Sequence, residues 1–144
     1  MALMNGDQYR ESLRKLRPNM YKWGELIEDV TTHPATRLHV QSVADSYDAA
    51  FDPERAPLFT AKSPLTGETA HRWNTLMNSM EAVMGNSKMK RAQFQRTGTC
   101  QGATCAGWTG INVLWAITYE MDRDLGTNYH ERVKKYFKHV EDNC

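Results

Sequence analysis

One stretch of the chain, Trp108–Tyr119, constrains the possible folds more than any other. Its side chains are apolar almost all the way round a helical wheel, instead of along one stripe. A helix of this kind belongs in the interior of a protein, and the stretch is shorter than the roughly 20 apolar residues that span a bilayer. The sequence therefore predicts a central buried helix, with Gly126 as its C-cap and Thr127 as the N-cap of the helix that follows.

Helical spacing also dominates most of the rest of the chain. Apolar residues recur at intervals of three and four, which places them on one face of an amphipathic helix. This spacing predicts helices over Tyr9–Leu16, Leu38–Phe51 and Tyr129–Val140, and a shorter element of the same kind over Tyr21–Val30. Another helix is expected to begin near Ala70, to be interrupted at Gly85-Asn86 and to be followed by a further segment over Ser87–Gln95.

The stretch Asp52–Thr69 contains three prolines and is typical of a loop. No segment shows the sustained period-two alternation that marks a half-buried strand. The length of 144 residues suits one domain. The sequence thus predicts a single all-α domain over residues 1–144, built from about six helices.

Charge and hydropathy exclude several classes of partner. The chain has 18 Lys and Arg residues against 17 Asp and Glu residues, for a net charge of +1, and it lacks the basic stripe of a nucleic-acid-binding protein. No run of about 18 apolar residues predicts a transmembrane helix. Residues Met1–Asp7 lack the basic and apolar regions of a signal peptide. We expect a cytoplasmic protein that binds neither nucleic acid nor a membrane.

Three cysteines, Cys100, Cys105 and Cys144, are candidates for redox or metal chemistry. An odd number without an export signal argues against a disulfide framework. Cys100 lies on a glycine-containing loop and Cys105 at the start of the next helix, so their thiolates could approach one iron or zinc ion. Such sites take four ligands, however, so the pair would form half a site. Two small buried residues are the alternative interpretation.

Other residues could carry chemistry or simply support the fold. Arg96 precedes Thr97-Gly98 in a predicted loop, where its guanidinium could bind a carboxylate or phosphate with two hydrogen bonds; the alternative is an exposed cation. His130 and His139 lie on a lysine-rich helix and are expected to be solvated. The four tryptophans are expected in the core: Trp23, Trp73, Trp108 and Trp115.

Several segments resemble the 4-hydroxyphenylacetate 3-hydroxylase family. The resemblance begins at Asp7–Arg14 and continues through Gly24–Pro34, Ser42–Asp48, Leu65–Glu68 and His71-Arg72. Two later motifs, Thr97–Cys100 and Thr118–Arg132, are similar to the 4-hydroxybutyryl-CoA dehydratase branch of the family. The resemblance extends to the last residue of the chain.

The resemblance implies an architecture like that of acyl-CoA dehydrogenases. In such an enzyme a helical N-terminal domain precedes a β domain and a C-terminal helical bundle, and FAD lies between them. Residues 1–144 match the first of these domains, so the β domain, the bundle and the flavin site are expected to be absent from this chain. We therefore expect the isolated chain to bind no cofactor and to be inactive alone, and the complete enzyme to be a homo-oligomer.

The dehydratase branch implies a [4Fe–4S] cluster and an acyl-CoA substrate. Two cysteines of the N-terminal domain, which match Cys100 and Cys105, would hold the cluster together with a histidine and a cysteine from later in the enzyme. The loop between the two cysteines is one residue longer here than in the dehydratase pattern. Cys144 matches no ligand. The implied reaction removes water from 4-hydroxybutyryl-CoA by a ketyl radical mechanism and isomerises vinylacetyl-CoA to crotonyl-CoA.

Two alternatives stay open. In the hydroxylase branch there is no cluster, reduced flavin activates oxygen, and an arginine stands at the position of Arg96, which makes Arg96 a candidate cofactor contact. The third possibility is a non-catalytic helical domain. The cysteine pair separates the two enzyme branches, because the dehydratase needs it and the hydroxylase does not. No catalytic residue is identified within residues 1–144.

Overall fold

The computed structural model describes residues 3–16, 19–99 and 103–143, and over this part the chain is mostly helical with two short β hairpins. The helices are α1 (Gly6–Leu16), α2 (Arg37–Asp48), α3 (Ala56–Phe59), α4 (Met80–Thr97), α5 (Ala103–Leu125) and α6 (His130–Asn143). The strands are β1 (Met20–Lys22), β2 (Glu25–Ile27), β3 (Thr60–Lys62) and β4 (Thr69–His71). The predicted helical class is confirmed, whereas the two hairpins were not expected.

The first hairpin replaces the helical element expected over Tyr21–Val30. Strands β1 and β2 pair antiparallel, with Lys22 opposite Glu25. The two residues between them, Trp23 and Gly24, have φ angles of 52° and 85°, and a two-residue turn with positive φ at both positions matches the twist of the strands. Trp23 is 93% exposed at the tip of this hairpin, so its predicted place in the core was wrong.

The second hairpin pairs β3 with β4, and both α3 and β3 lie in the stretch expected to be a loop. The helix expected near Ala70 begins only at Met80, where the Ser79 hydroxyl accepts the Ala82 amide at 3.1 Å. It then continues without interruption past Gly85. A Cβ at this glycine would meet the Arg72 Nη1 atom at 2.5 Å, so the glycine allows the guanidinium to pack against the helix.

Among the described residues, two clusters of buried side chains form much of the core. The first joins Ala49, Phe59, Trp73 and Met89, and the second joins Leu76, Trp108 and Phe137. In the second cluster the Phe137 ring meets the rings of Trp108 and Trp115 edge-on, at centroid distances of 4.9 and 5.2 Å. These ring contacts fix α6 against α5.

Helix α5 is buried on one side only, so the predicted central burial is wrong for this chain. Trp108 on its inner face is 6% exposed, whereas Val113, Leu114 and Ile117 on the outer face are 50%, 50% and 46% exposed. Over the described residues, the other elements of the chain cover one side of the helix. No helix in this part of the chain combines the length and the apolarity needed to cross a membrane.

A tight corner joins α5 to α6. Gly126 has a φ of 65° and its amide donates to the Asp122 carbonyl at 3.1 Å, which confirms the predicted C-cap. Thr127 is not the N-cap of the next helix. The Asp122 carboxylate instead accepts the Tyr129 and His130 amides at 2.8 and 2.9 Å, together with the Thr127 hydroxyl at 2.7 Å. One acidic side chain of α5 therefore satisfies two backbone amides at the start of α6, those of Tyr129 and His130.

Candidate functional site

The candidate site lies where the last turn of α4 faces α2. Arg96 belongs to this last turn and not to a loop, because α4 continues to Thr97 and ends at Gly98, which has a φ of 66°. The Arg96 Nε group donates to both carboxylate oxygens of Asp45 on α2, each at 2.9 Å. The Arg96 side chain is 55% exposed, so it is an exposed cation that nevertheless has a fixed ion-pair partner.

Asp45 has a second cationic partner. The Arg55 Nη1 group donates to both Asp45 oxygens at 3.2 Å, and the Arg55 Nε group donates to Asp52 at 2.6 Å. Burial alone would lower the pKa of Arg55, but its hydrogen bonds to Asp52 and Asp45 outweigh this effect and raise it. The hydrogen bond from Arg55 lowers the pKa of the Asp52 carboxyl. Two carboxylates and two guanidiniums thus alternate in one row.

A groove between α2 and α4 runs alongside this row of charges, and hydrogen bonds between the two helices lie next to it. The Gln93 carboxamide donates to the Ser42 carbonyl at 2.9 Å, which ties α4 to α2. The Thr97 hydroxyl donates to the Gln93 carbonyl at 2.9 Å and lies 3.3 Å from the Thr99 carbonyl. The groove is lined by Leu38, Gln41, Ser42, Asp45, Arg96 and Thr97.

Of the two cysteines predicted to bind a metal, the structure places only Cys105. Cys100 lies outside the described residues, as does Cys144. Cys105 is the third residue of α5, carries a free thiol and is half-buried. Like Ala92 of α4, it is a partly buried residue that packs against the first core cluster. Ala92 lies one helical turn before Arg96 on α4.

The environment of Cys105 fits a contribution to a soft metal site. Its thiol is free and lies in the first turn of α5, where the positive end of the helix dipole favours the thiolate form that holds iron–sulfur clusters. Over residues 3–16, 19–99 and 103–143, no three His, Cys, Asp or Glu side chains come close enough together to hold a metal ion. This part of the chain can supply a ligand but not a complete ligand set.

His130 and His139 do not extend the site. His130, which was expected to be solvated, is only 8% exposed. Its Nδ1 atom lies 3.2 Å from the Thr118 hydroxyl, and its ring meets the Trp115 ring edge-on at 4.6 Å. His130 therefore fixes the corner between α5 and α6. His139 is exposed, as expected.

Asp45 is the residue that sequence reasoning missed. It lies 51 positions before Arg96, so no local spacing links the two charges. The resemblance over Ser42–Asp48 was the one available indication that this turn of α2 matters.

A family model described as 4-hydroxyphenylacetate 3-hydroxylase N terminal matches residues 5–144. The chain is 40% identical over 141 residues to the 4-hydroxybutyryl-CoA dehydratase/vinylacetyl-CoA-Delta-isomerase of Clostridium aminobutyricum, a match that covers 98% of this chain and 29% of that protein. It is 47% identical over 146 residues to the 4-hydroxyphenylacetate 3-monooxygenase oxygenase component of Klebsiella oxytoca, covering 95% of this chain and 28% of that protein.

Two solved structures share the fold. The oxygen-tolerant archaeal 4-hydroxybutyryl-CoA dehydratase from N. maritimus superposes with a TM-score of 0.89 and 35% identity, over 98% of this chain and 28% of that one. The oxygenase component of 4-hydroxyphenylacetate 3-monooxygenase gives a TM-score of 0.72 and 22% identity, over 96% of this chain and 28% of that one. In its complex with FAD the TM-score is 0.66.

These matches confirm the resemblance and the expected fold class. The structural neighbours have an acyl-CoA dehydrogenase-like fold, and this chain corresponds to their N-terminal domain. The chain spans less than a third of the length of the relatives it matches, 29% of the clostridial dehydratase and 28% of the archaeal one.

Proposed function

Because this chain belongs to the 4-hydroxyphenylacetate 3-hydroxylase N-terminal family, we propose that it is the N-terminal portion of a 4-hydroxybutyryl-CoA dehydratase/vinylacetyl-CoA isomerase-like enzyme. One observation favours the dehydratase branch over the hydroxylase branch. The fold superposes on the archaeal dehydratase with a TM-score of 0.89, against 0.72 for the monooxygenase component. The free Cys105 thiol at the start of α5 supports the same choice, because a thiolate is needed for an iron–sulfur cluster and has no role in the hydroxylase branch.

The proposed enzyme uses FAD and a [4Fe–4S] cluster, and this chain contributes half of the cluster's ligands. Cys105 and Cys100 would hold the cluster from the N-terminal domain, and the remaining two ligands would come from the rest of the enzyme or from a separate subunit. When bound, the cluster and the flavin supply the one-electron chemistry that removes a hydroxyl group from an acyl-CoA. The residues of this chain help to hold and position these cofactors and to enclose the site. We further propose that the complete enzyme is a cytoplasmic homo-oligomer.

Arg96 is the proposed cofactor contact within this domain. Its guanidinium lies at the end of α4, beside the groove, and it is anchored by its Nε edge to Asp45. An arginine recognises a phosphate or carboxylate group through two parallel hydrogen bonds. The anionic groups of FAD and of an acyl-CoA both have this chemistry.

A hydroxylase-type flavin monooxygenase is the second candidate. The identity of 47% with the Klebsiella oxygenase component favours it, as does the arginine at position 96. A non-catalytic helical domain is the third possibility, and it would need neither the thiol nor the guanidinium.

Two chimeric proteins test the proposed branch. In the first, this chain replaces the matched segment of the clostridial dehydratase; in the second, it replaces the matched segment of the Klebsiella oxygenase component. We expect the first chimera to dehydrate 4-hydroxybutyryl-CoA under anaerobic conditions, and the second to leave 4-hydroxyphenylacetate unchanged when reduced flavin is supplied.

The reverse pattern of activity would select the hydroxylase branch. Two folded, flavin-loaded chimeras without either activity would select the non-catalytic domain.

A further inference from the structure

We infer that Asp45 is a positioning residue, whose carboxylate holds the Arg96 guanidinium in the orientation that receives an anionic group in the groove between α2 and α4. This inference rests on the proposed role of Arg96 as a cofactor contact. It adds that a residue 51 positions away, on another helix, sets the geometry of that contact.

The geometry of the pair leaves one edge of the guanidinium available. Arg96 uses its Nε group for both Asp45 oxygens, each at 2.9 Å. Among the described residues, no hydrogen bond uses the two Nη groups of Arg96. These Nη groups carry four of the five donors of the side chain, so most of its hydrogen-bonding capacity is available to a ligand in the groove.

Asp45 is itself held in place. It is only 16% exposed, and the Arg55 Nη1 group reaches both of its oxygens at 3.2 Å. Arg55 is in turn bound by Asp52 at 2.6 Å. Through Arg55 and Asp52, the Asp45 carboxylate is therefore connected to the segment that follows α2. Asp45 is thus a fixed acceptor for Arg96.

Because Asp45 is a fixed acceptor, it orders the Arg96 side chain before a ligand binds. A free arginine side chain has many rotamers, and the entropy lost when it becomes ordered opposes binding. Here the ordering occurs when the chain folds, before any ligand arrives. The row of Arg96, Asp45, Arg55 and Asp52 carries two positive and two negative charges, so the attraction for an anion comes from the Nη donors of Arg96 and not from a net charge. An ordered cation with a free fork fits a phosphate or carboxylate oxyanion.

The first experiment examines the positioning itself, on the 144-residue chain and without any cofactor. Side-chain Nε–H signals of arginine are followed by ¹⁵N NMR, and the matched control within the same helix is Arg91, which is exposed and has no ion pair among the described residues. We expect a slowly exchanging, ordered Nε–H signal for Arg96 and a rapidly exchanging one for Arg91. Equal exchange of the two signals would overturn the inference without any variant.

The variants Asp45→Asn and Asp48→Asn extend this measurement. Asp48 lies one turn along α2 and accepts the Gly6 amide at 2.7 Å, so its loss affects stability but not Arg96. We expect Asp45→Asn to speed the exchange of the Arg96 signal at least tenfold and Asp48→Asn to leave it unchanged. An Arg96 signal that persists in Asp45→Asn would contradict the inference.

The second experiment measures the dissociation constant of FAD in the dehydratase chimera, with Asp45→Asn, Arg96→Lys and the double variant. Loss of a charge-assisted hydrogen bond weakens binding by about tenfold or more, and we expect this weakening from each single variant. Since both variants disturb one contact, the double variant should be no weaker than either single variant. Multiplying effects, of about a hundredfold in total, would show that Asp45 does not act through Arg96.

The two experiments separate the two claims. If Arg96→Lys leaves FAD binding unchanged while the Arg96 signal still depends on Asp45, the proposed cofactor contact fails and the positioning geometry stands. If the signal is independent of Asp45, the positioning inference fails whatever the role of Arg96.

Discussion

Among single residues, Glu141 has an unusual environment, because it is an acidic side chain that is only 1% exposed. Its Oε2 atom accepts the Ser63 hydroxyl at 2.8 Å. Its Oε1 atom has no hydrogen-bond partner in the part of the chain that the structure describes. Burial raises the pKa of this carboxyl, since removing a carboxylate from water disfavours its charged form.

The raised pKa predicts an unusual dependence of stability on pH. The folded chain binds a proton at Glu141 more tightly than the unfolded chain, so the contribution of Glu141 to the free energy of unfolding should increase as the pH falls from neutral through its folded-state pKa towards 4.5, the ordinary value. Burial lowers the pKa of His71, whose contribution therefore changes in the opposite direction, and the effect of Glu141 is obtained from the difference between the wild-type chain and Glu141→Gln. In Glu141→Gln this increase should be absent. Urea unfolding of both proteins at a series of pH values gives the difference directly.

The matched control is Glu120→Gln, whose side chain is exposed on α5. It should keep the pH dependence of the wild-type chain. An unchanged pH dependence in Glu141→Gln would contradict this account of the buried carboxyl.

Residue roles could be predicted where they depend on local geometry. Gly126 was placed correctly, because a helix C-cap is a rule about a few neighbouring residues. The burial of His130 was missed, because it depends on Thr118, which lies across the corner between α5 and α6. The pairing of Asp45 with Arg96 depends on the tertiary packing of α2 against α4. No pattern in the sequence could reveal it.

At the scale of elements, periodicity found the long helices and missed the short strands. Helices α1, α2 and α6 have clear apolar stripes and lie where the sequence predicted them. The strands have three residues each, which is too short for an alternation to be recognised. The one usable signal was the glycine at position 24, since a two-residue hairpin turn favours glycine.

The packing of α6 against α5 predicts that the domain loses stability when the buried side chain between them is removed. Phe137 is 0% exposed and lies between Trp108 and Trp115. Removing a buried phenylalanine side chain leaves a cavity and costs about 3–5 kcal/mol of folding free energy. We expect Phe137→Ala to lower the free energy of unfolding of the chain by this amount in urea titrations.

Tyr136→Ala is the matched control, because the side chain of Tyr136 is 52% exposed on the same helix. Its effect should be about 0.5 kcal/mol or less. Equal losses from the two variants would show that the second core cluster does not stabilise the domain.

At the scale of the whole molecule, α5 connects the sequence to the larger enzyme. Its apolar character all round the helix predicted complete burial, yet Val113, Leu114 and Ile117 are about half exposed, at 50%, 50% and 46%. The apolar pattern predicts that other residues bury every side of the helix, but it does not predict which part of a protein those residues belong to. Relatives of this chain are more than three times as long, and the outer face of α5 is the surface we expect the remainder of such an enzyme to cover.

The domain identity, in contrast, could be predicted almost entirely. Motifs from Asp7 onward indicated the family, and a family model confirms it over residues 5–144. The metal ligands follow from the resemblance alone, because Cys100 lies outside the described residues and the other ligands are expected from another part of the enzyme. We therefore propose that this domain contributes thiolates to a cluster assembled in the complete enzyme.

Iron content of the dehydratase chimera tests this claim most directly. The wild-type chimera, Cys105→Ala and the control Cys144→Ala are reconstituted anaerobically, and iron is measured per protomer alongside FAD content and folded state. We expect the wild-type and Cys144→Ala chimeras to hold equal iron, and Cys105→Ala to lose most of it while remaining folded. Unchanged iron in Cys105→Ala would contradict the claim.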